Sequence, residues 1–106
     1  MSIFTRINNI TTTELEQKLK QDPSIKIIDV RVPERYQKEH IPNVPNIPWK
    51  QIKQGHYQPT AEKTYIICHS GVDSRKSTKK LTAKGYDVVN VLGGMLDWHG
   101  PVTSEK

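Results

Sequence analysis

The chemistry-bearing stretch of this 106-residue chain is residues 68–77, CHSGVDSRKS. It holds the only cysteine, Cys68, placed where the apolar run Tyr65-Ile66-Ile67 gives way to small and polar residues. Two readings of that thiol compete. Cysteine is among the most buried residue types, so from the strand alone inert packing is the better account. The residues that follow admit a second reading, a reagent. If the loop curls, successive backbone N–H groups from His69 to Ser74 converge on one point, and Gly71 can take the positive φ such a turn needs. A helix starting there adds partial positive charge at its N-terminus. Such an anion cradle would stabilise a thiolate and make Cys68 a nucleophile near neutral pH.

A cradle of this kind needs a strand to deliver the thiol and a helix to receive the chain. TYIIC (64–68) reads as a buried strand and SRKSTKKLTAKG (74–85) as a helix closed by Gly85. Upstream, Thr11-Thr12-Thr13-Glu14 forms a capping box, and Leu15 and Leu19 share one face of the short helix that follows. Pro23 stops that helix, and IKIIDV (25–30) is a second buried strand. Pro33 fits a first helical position, Pro42 ends that turn, and Pro48 starts a short helix over Trp49-Lys50-Gln51-Ile52. DVVNVL (87–92) is a third strand, and GGMLDW (93–98) a tight turn into a last short helix. Strands alternating with helices predict an α/β fold: a small, mainly parallel sheet flanked by helices on both faces. In such sheets ligands bind beyond the carboxyl ends of the strands, which is where Cys68 falls.

Composition narrows the classes. With 34% hydrophobic residues, positions 1–106 fit one compact domain. No apolar stretch is long enough to span a bilayer, and MSIFTRINNI lacks the features of a secretory signal, so no membrane role and a cytoplasmic location are expected. One cysteine makes no internal disulfide, and four scattered histidines make no structural zinc site; a reducing compartment suits the thiol. The net charge of +5 is spread along the chain, with short clusters only at Arg75-Lys76 and Lys79-Lys80, which read as a solvated helix face. No nucleic-acid motif accompanies it, and no nucleic-acid partner is expected. The excess charge would still draw small anions toward a cleft.

Four segments taken together, IIDVR (27–31), ERYQKEHIPNVPNIP (34–48), YIICHSGVDS (65–74) and VLGGMLDW (91–98), resemble the rhodanese family of single-domain sulfurtransferases. The resemblance runs from about Thr12 to Trp98. It implies a rhodanese-like domain in which Cys68 carries a persulfide and the loop of His69, Ser70, Gly71, Val72, Asp73, Ser74 and Arg75 binds the substrate sulfur. It also implies that no metal or organic cofactor is needed, and that the partners are a small sulfur donor (thiosulfate or a persulfide) and a thiol acceptor, a protein sulfur acceptor included. By the same resemblance His40 ties down a loop rather than acting as a base. Asp29 and Arg31 at a strand exit read as a structural ion pair, Trp98 as a core residue, and His69 as a loop residue beside the thiol.

Two positions depart from the family pattern. Asp73 stands where an arginine usually sits, and arginine is the residue suited to bidentate oxyanion binding. A carboxylate there repels an anionic donor and disfavours the thiolate. Arg75 or Lys76 is then the candidate replacement cation, while Asp73 or Ser74 is expected to cap the following helix. Asn43 replaces a glycine, and asparagine tolerates turn conformations. The expected function is sulfur transfer through Cys68. A non-catalytic sulfur-binding or interaction module is the alternative, made credible by Asp73. Phosphatase or arsenate-reductase chemistry needs a C-x5-R loop, but Ser74 occupies the arginine's position and Arg75 arrives one residue late.

Overall fold

Alternate side chains of a strand leave on opposite faces, so runs that are apolar at every position require cover on both sides. The computed structural model, which describes residues 6–105, provides it. Strands β1 (Asn8–Ile10), β2 (Lys26–Asp29), β3 (Thr64–Ile67) and β4 (Val88–Val91) form one sheet in the order β1-β4-β3-β2, with every neighbouring pair parallel. Helices α1 (Thr12–Gln21), α2 (Pro33–Lys38), α3 (Trp49–Lys53) and α4 (Val72–Ala83) and a final 3₁₀ turn (Gly94–Asp97) lie between and after the strands. On one face Ile27, Tyr65, Ile67, Val89 and Val91 share a core with Leu15 of α1 and with Trp98. On the other, Ile28, Ile66 and Val88 pack with Ile52 of α3 and Leu81 of α4. The fold is the small α/β sheet covered on both faces that the sequence predicts.

Local chemistry sets the element ends. The capping box forms: Thr11 Oγ accepts the Glu14 N–H at 3.1 Å and Glu14 Oε1 accepts the Thr11 N–H at 3.0 Å. These Thr11 contacts, the backbone one first, hold the Glu14 carboxyl below the ordinary carboxylate range. Pro33 opens α2 and Pro48 precedes α3, as expected. Asn43 takes φ +66°, the turn conformation asparagine tolerates.

Two features differ from the sequence reading. A fourth strand, β1, pairs with β4 through Asn9↔Asn90 and Ile10↔Val91. Only Ile10 of its three residues is buried, so tertiary pairing makes it a strand and hydrophobic pattern does not. Helix α4 also starts at Val72 rather than Ser74, because Gly71 at φ +99° turns the chain directly into the helix. Among the described residues no helix is long and apolar enough to cross a membrane. The signal-peptide argument rests partly on residues 1–5, which lie outside the described residues.

Candidate active site

Cys68 leaves the carboxyl end of β3 and enters the turn before α4, with only 3% of its surface exposed. The Gly71 N–H donates to its sulfur at 3.0 Å. The helix ladder begins with the Arg75 N–H to Gly71 carbonyl bond, so the N–H groups of Val72, Asp73 and Ser74 form the unpaired first turn of α4. The Gly71 N–H is thus the backbone donor on the sulfur, beside the positive end of the helix dipole. A buried relay reaches it from behind. Asn90 donates to Asn9 Oδ1 at 3.0 Å, which leaves Asn90 Oδ1 to accept the Ser74 hydroxyl at 2.6 Å. With its proton committed there, Ser74 Oγ serves as acceptor for the Cys68 S–H at 3.3 Å.

The 3₁₀ turn fixes the outer side of the loop. The Met95 N–H donates to the Cys68 carbonyl at 2.8 Å and the Leu96 N–H to the His69 carbonyl at 3.0 Å. Such close approach requires glycine at 94: its φ is +60°, and a Cβ there would lie 2.4 Å from the Cys68 carbonyl oxygen.

Opposite, the end of β2 forms a second wall. Arg31 makes a buried ion pair with Asp29 at 2.7 Å and donates to the Glu39 carbonyl at 2.6 Å. The Asn46 amide holds the carbonyls of Asp29 and Arg31. The Arg31 charge is thus internally compensated. Four residues after Arg31, Arg35 on α2 brings a guanidinium nitrogen to 3.2 and 3.4 Å from the ring nitrogens of His69. His40 is buried, stacks on Tyr36 at 3.8 Å between centroids, and donates through its Nδ1–H to the Tyr36 carbonyl at 2.7 Å. Backbone bonds between His40 and Thr103 in both directions tie down the C-terminal segment. His40 is structural, as is Trp98, whose indole N–H donates to the Pro101 carbonyl from within the core.

Between the two walls lies a cavity of about 260 Å³. Cys68, His69, Ser70, Val72 and Asp73 line it from the loop, and Arg31, Val32 and Arg35 from the β2 side. Gly71 and Ser74 reach the sulfur directly. Arg75 and Lys76 are exposed on α4 and do not line the cavity; the cations that line it are Arg31, paired with Asp29, and Arg35, beside His69. The expected side-chain cap is also absent: Gly71 is the N-cap, and Asp73 and Ser74 lie inside the first helical turn. Asp73 instead complements the helix dipole. The sequence reading missed Arg35 and Asn90. Their signals were a cation just past the carboxyl end of β2, at the same sheet edge as Cys68, and a lone asparagine inside an otherwise apolar strand.

The rhodanese-like domain family model matches residues 11–101 of the chain. The chain belongs to the rhodanese-like domain family. Among its relatives, the Putative sulfur carrier protein YrkF of Bacillus subtilis is 38% identical over 96 residues, 89% of this chain. The match spans 52% of that relative, about half its length. The Putative sulfurtransferase YtwF of the same organism is 35% identical over 95 residues, covering 89% of this chain and 92% of the relative. The crystal structure of a rhodanese-like domain protein from Staphylococcus aureus superposes with a TM-score of 0.85 at 36% identity, covering 94% of this chain and all of that one. Cys68 follows the carboxyl end of β3, an interior strand of that fold.

Proposed function

We propose that this rhodanese-like protein is a sulfurtransferase, with residues 1–106 acting as one domain, that moves sulfane sulfur through a persulfide on Cys68. The thiolate attacks the outer sulfur of thiosulfate or a persulfide. A new S–S bond forms to Cys68, the donor's S–S bond breaks, and sulfite or a thiolate leaves with the electron pair. A thiol or cyanide acceptor, a protein thiol included, then takes the outer sulfur and returns Cys68 as thiolate. The sulfur is shuttled without net oxidation of the protein, and the covalent intermediate predicts ping-pong kinetics.

The observation that carries this reading is the Gly71 N–H held 3.0 Å from the Cys68 sulfur at the N-terminus of α4. The loop donors His69 to Ser74 would hold the persulfide's negative charge in the same cradle. Arg75 enters this proposal only through its backbone, as the first rung of the helix. A reducing compartment such as the cytoplasm suits an unpaired, reactive thiol. Asp73, facing the cavity, favours a second reading: a rhodanese-like sulfur-binding or interaction module that turns over no thiosulfate.

Intact mass separates the two. After incubation with thiosulfate, and in parallel with a persulfide donor, the protein is expected to gain one sulfur atom. A reducing thiol should remove it, and Cys68→Ser should not acquire it. A folded protein that gains no sulfur from either donor is the module, not the enzyme.

A further inference from the structure

The cavity beside Cys68 carries two charges of opposite sign that, among the described residues, no ion pair engages. Arg35 contributes a guanidinium and Asp73 a carboxylate, and both line the same space as the thiol. Among the described residues neither takes part in an ion pair, whereas the third charged lining residue, Arg31, is fully engaged by Asp29. Arg35 and Asp73 therefore stand more than 4 Å apart, and a gap with a cation on one side and an anion on the other is left between them. A small oxyanion suits only half of that site: thiosulfate gains from Arg35 and is opposed by Asp73. A molecule bearing an ammonium and a carboxylate suits both halves.

Building on the sulfurtransferase reading, we propose that the preferred donor is a zwitterionic amino-acid persulfide. Its carboxylate meets Arg35, its ammonium meets Asp73, and its outer sulfur reaches Cys68. Size agrees, since a cavity of about 260 Å³ has room for a small amino acid. Val32 and Val72 supply apolar surface for its methylene stem. In the transfer, the Cys68 thiolate bonds to the terminal sulfur of R–S–SH, the donor S–S bond breaks, and R–S⁻ leaves as the amino-acid thiolate, which takes a proton from solvent. The same two charges make the site selective: a donor lacking either group leaves one side chain facing an empty partner.

The test is the rate of sulfur loading on Cys68, followed by intact mass. The donors are cysteine persulfide, its N-acetyl form, which lacks the ammonium, and cysteamine persulfide, which lacks the carboxylate. Cysteine persulfide is expected to load about fivefold faster than each of the others, equivalent to about 1 kcal/mol at 1.4 kcal/mol per decade. Asp73→Asn should abolish the advantage over the N-acetyl donor and leave the advantage over cysteamine persulfide. Arg35→Gln should do the reverse. Equal loading by all three donors, or preferences unchanged in both variants, overturns the zwitterion assignment while leaving sulfur transfer intact. Loading by none of them, thiosulfate included, overturns sulfur transfer and this assignment with it.

Discussion

Gly94→Ala is the sharpest probe of how the fold holds the cysteine loop. The added Cβ would lie 2.4 Å from the Cys68 carbonyl oxygen and 2.7 Å from the His69 carbonyl. All of these are backbone atoms, so no side chain can move aside. Alanine at φ +60° costs roughly 1–2 kcal/mol for the left-handed conformation alone. Relieving the clash separates the 3₁₀ turn from the loop and breaks the Met95 and Leu96 N–H bonds, each worth about 0.5–1.5 kcal/mol. The sum is about 2–5 kcal/mol. Gly85→Ala is the internal control. Its φ is +92°, but nothing lies within 4 Å of the added Cβ, so only the conformational cost of about 1–2 kcal/mol applies. Urea denaturation measures both losses, and the rate of Cys68 modification by iodoacetamide in the folded protein reports the loop. Gly94→Ala should lose more stability than Gly85→Ala and alone change the Cys68 rate. Equal stability losses with unchanged Cys68 rates in both variants would refute the reasoning that this contact positions the thiol.

The remaining predictions test single features of the same frame. Asp73→Arg should raise thiosulfate kcat/KM about tenfold, by replacing a repelling carboxylate with a bidentate cation, and lower stability by about 0.3–1 kcal/mol because a cation then sits in the first turn of α4; steady-state kinetics showing no gain would clear Asp73 of limiting that donor. Arg31→Met leaves the fully buried Asp29 carboxylate without its partner and should cost about 3–5 kcal/mol in urea denaturation, whereas a loss below about 1 kcal/mol would mean the pair is not holding the β2 exit. The folded-state Glu14 carboxyl sits below its ordinary range, so its contribution is complete above that range and disappears as pH falls through the lowered value. Glu14→Gln should therefore flatten the acid side of the Tm–pH curve and leave its alkaline side unchanged; an unaltered acid limb would remove the capping box from the account.

What the sequence made legible followed from interactions local in the chain. Proline at 33 and 48, the Thr11–Glu14 box and the continuous apolar runs each carry their own structural instruction, and the elements appear where those residues put them. Strand β1 was not legible, because Asn8-Asn9-Ile10 becomes a strand only when β4 offers its edge. The site divides the same way. The Cys68 loop is a local motif, and its Gly71 donor could be anticipated from the glycine alone. Arg35 lies 33 residues before Cys68, and only the parallel pairing of β2 with β3 brings their carboxyl ends to one edge. The expectation that Arg75 or Lys76 supplies the missing cation meets a helix that leaves both exposed and outside the cavity lining.

The Ser74–Asn90–Asn9 relay shows how a distant residue can bear on the thiol without touching it. The Ser74 proton is held by Asn90 Oδ1, and so faces away from the sulfur. The sulfur lies 3.3 Å from Ser74 Oγ, while the Gly71 N–H occupies another side of it at 3.0 Å. A negatively charged sulfur at this position would gain from Ser74 turning its proton toward it. That turn breaks the bond to a buried asparagine whose other end is fixed by the edge strand, so the gain is partly offset. The strand that sequence pattern could not reveal is therefore the one that anchors the relay, and through Asn90 and Ser74 it bears on one side of the Cys68 sulfur.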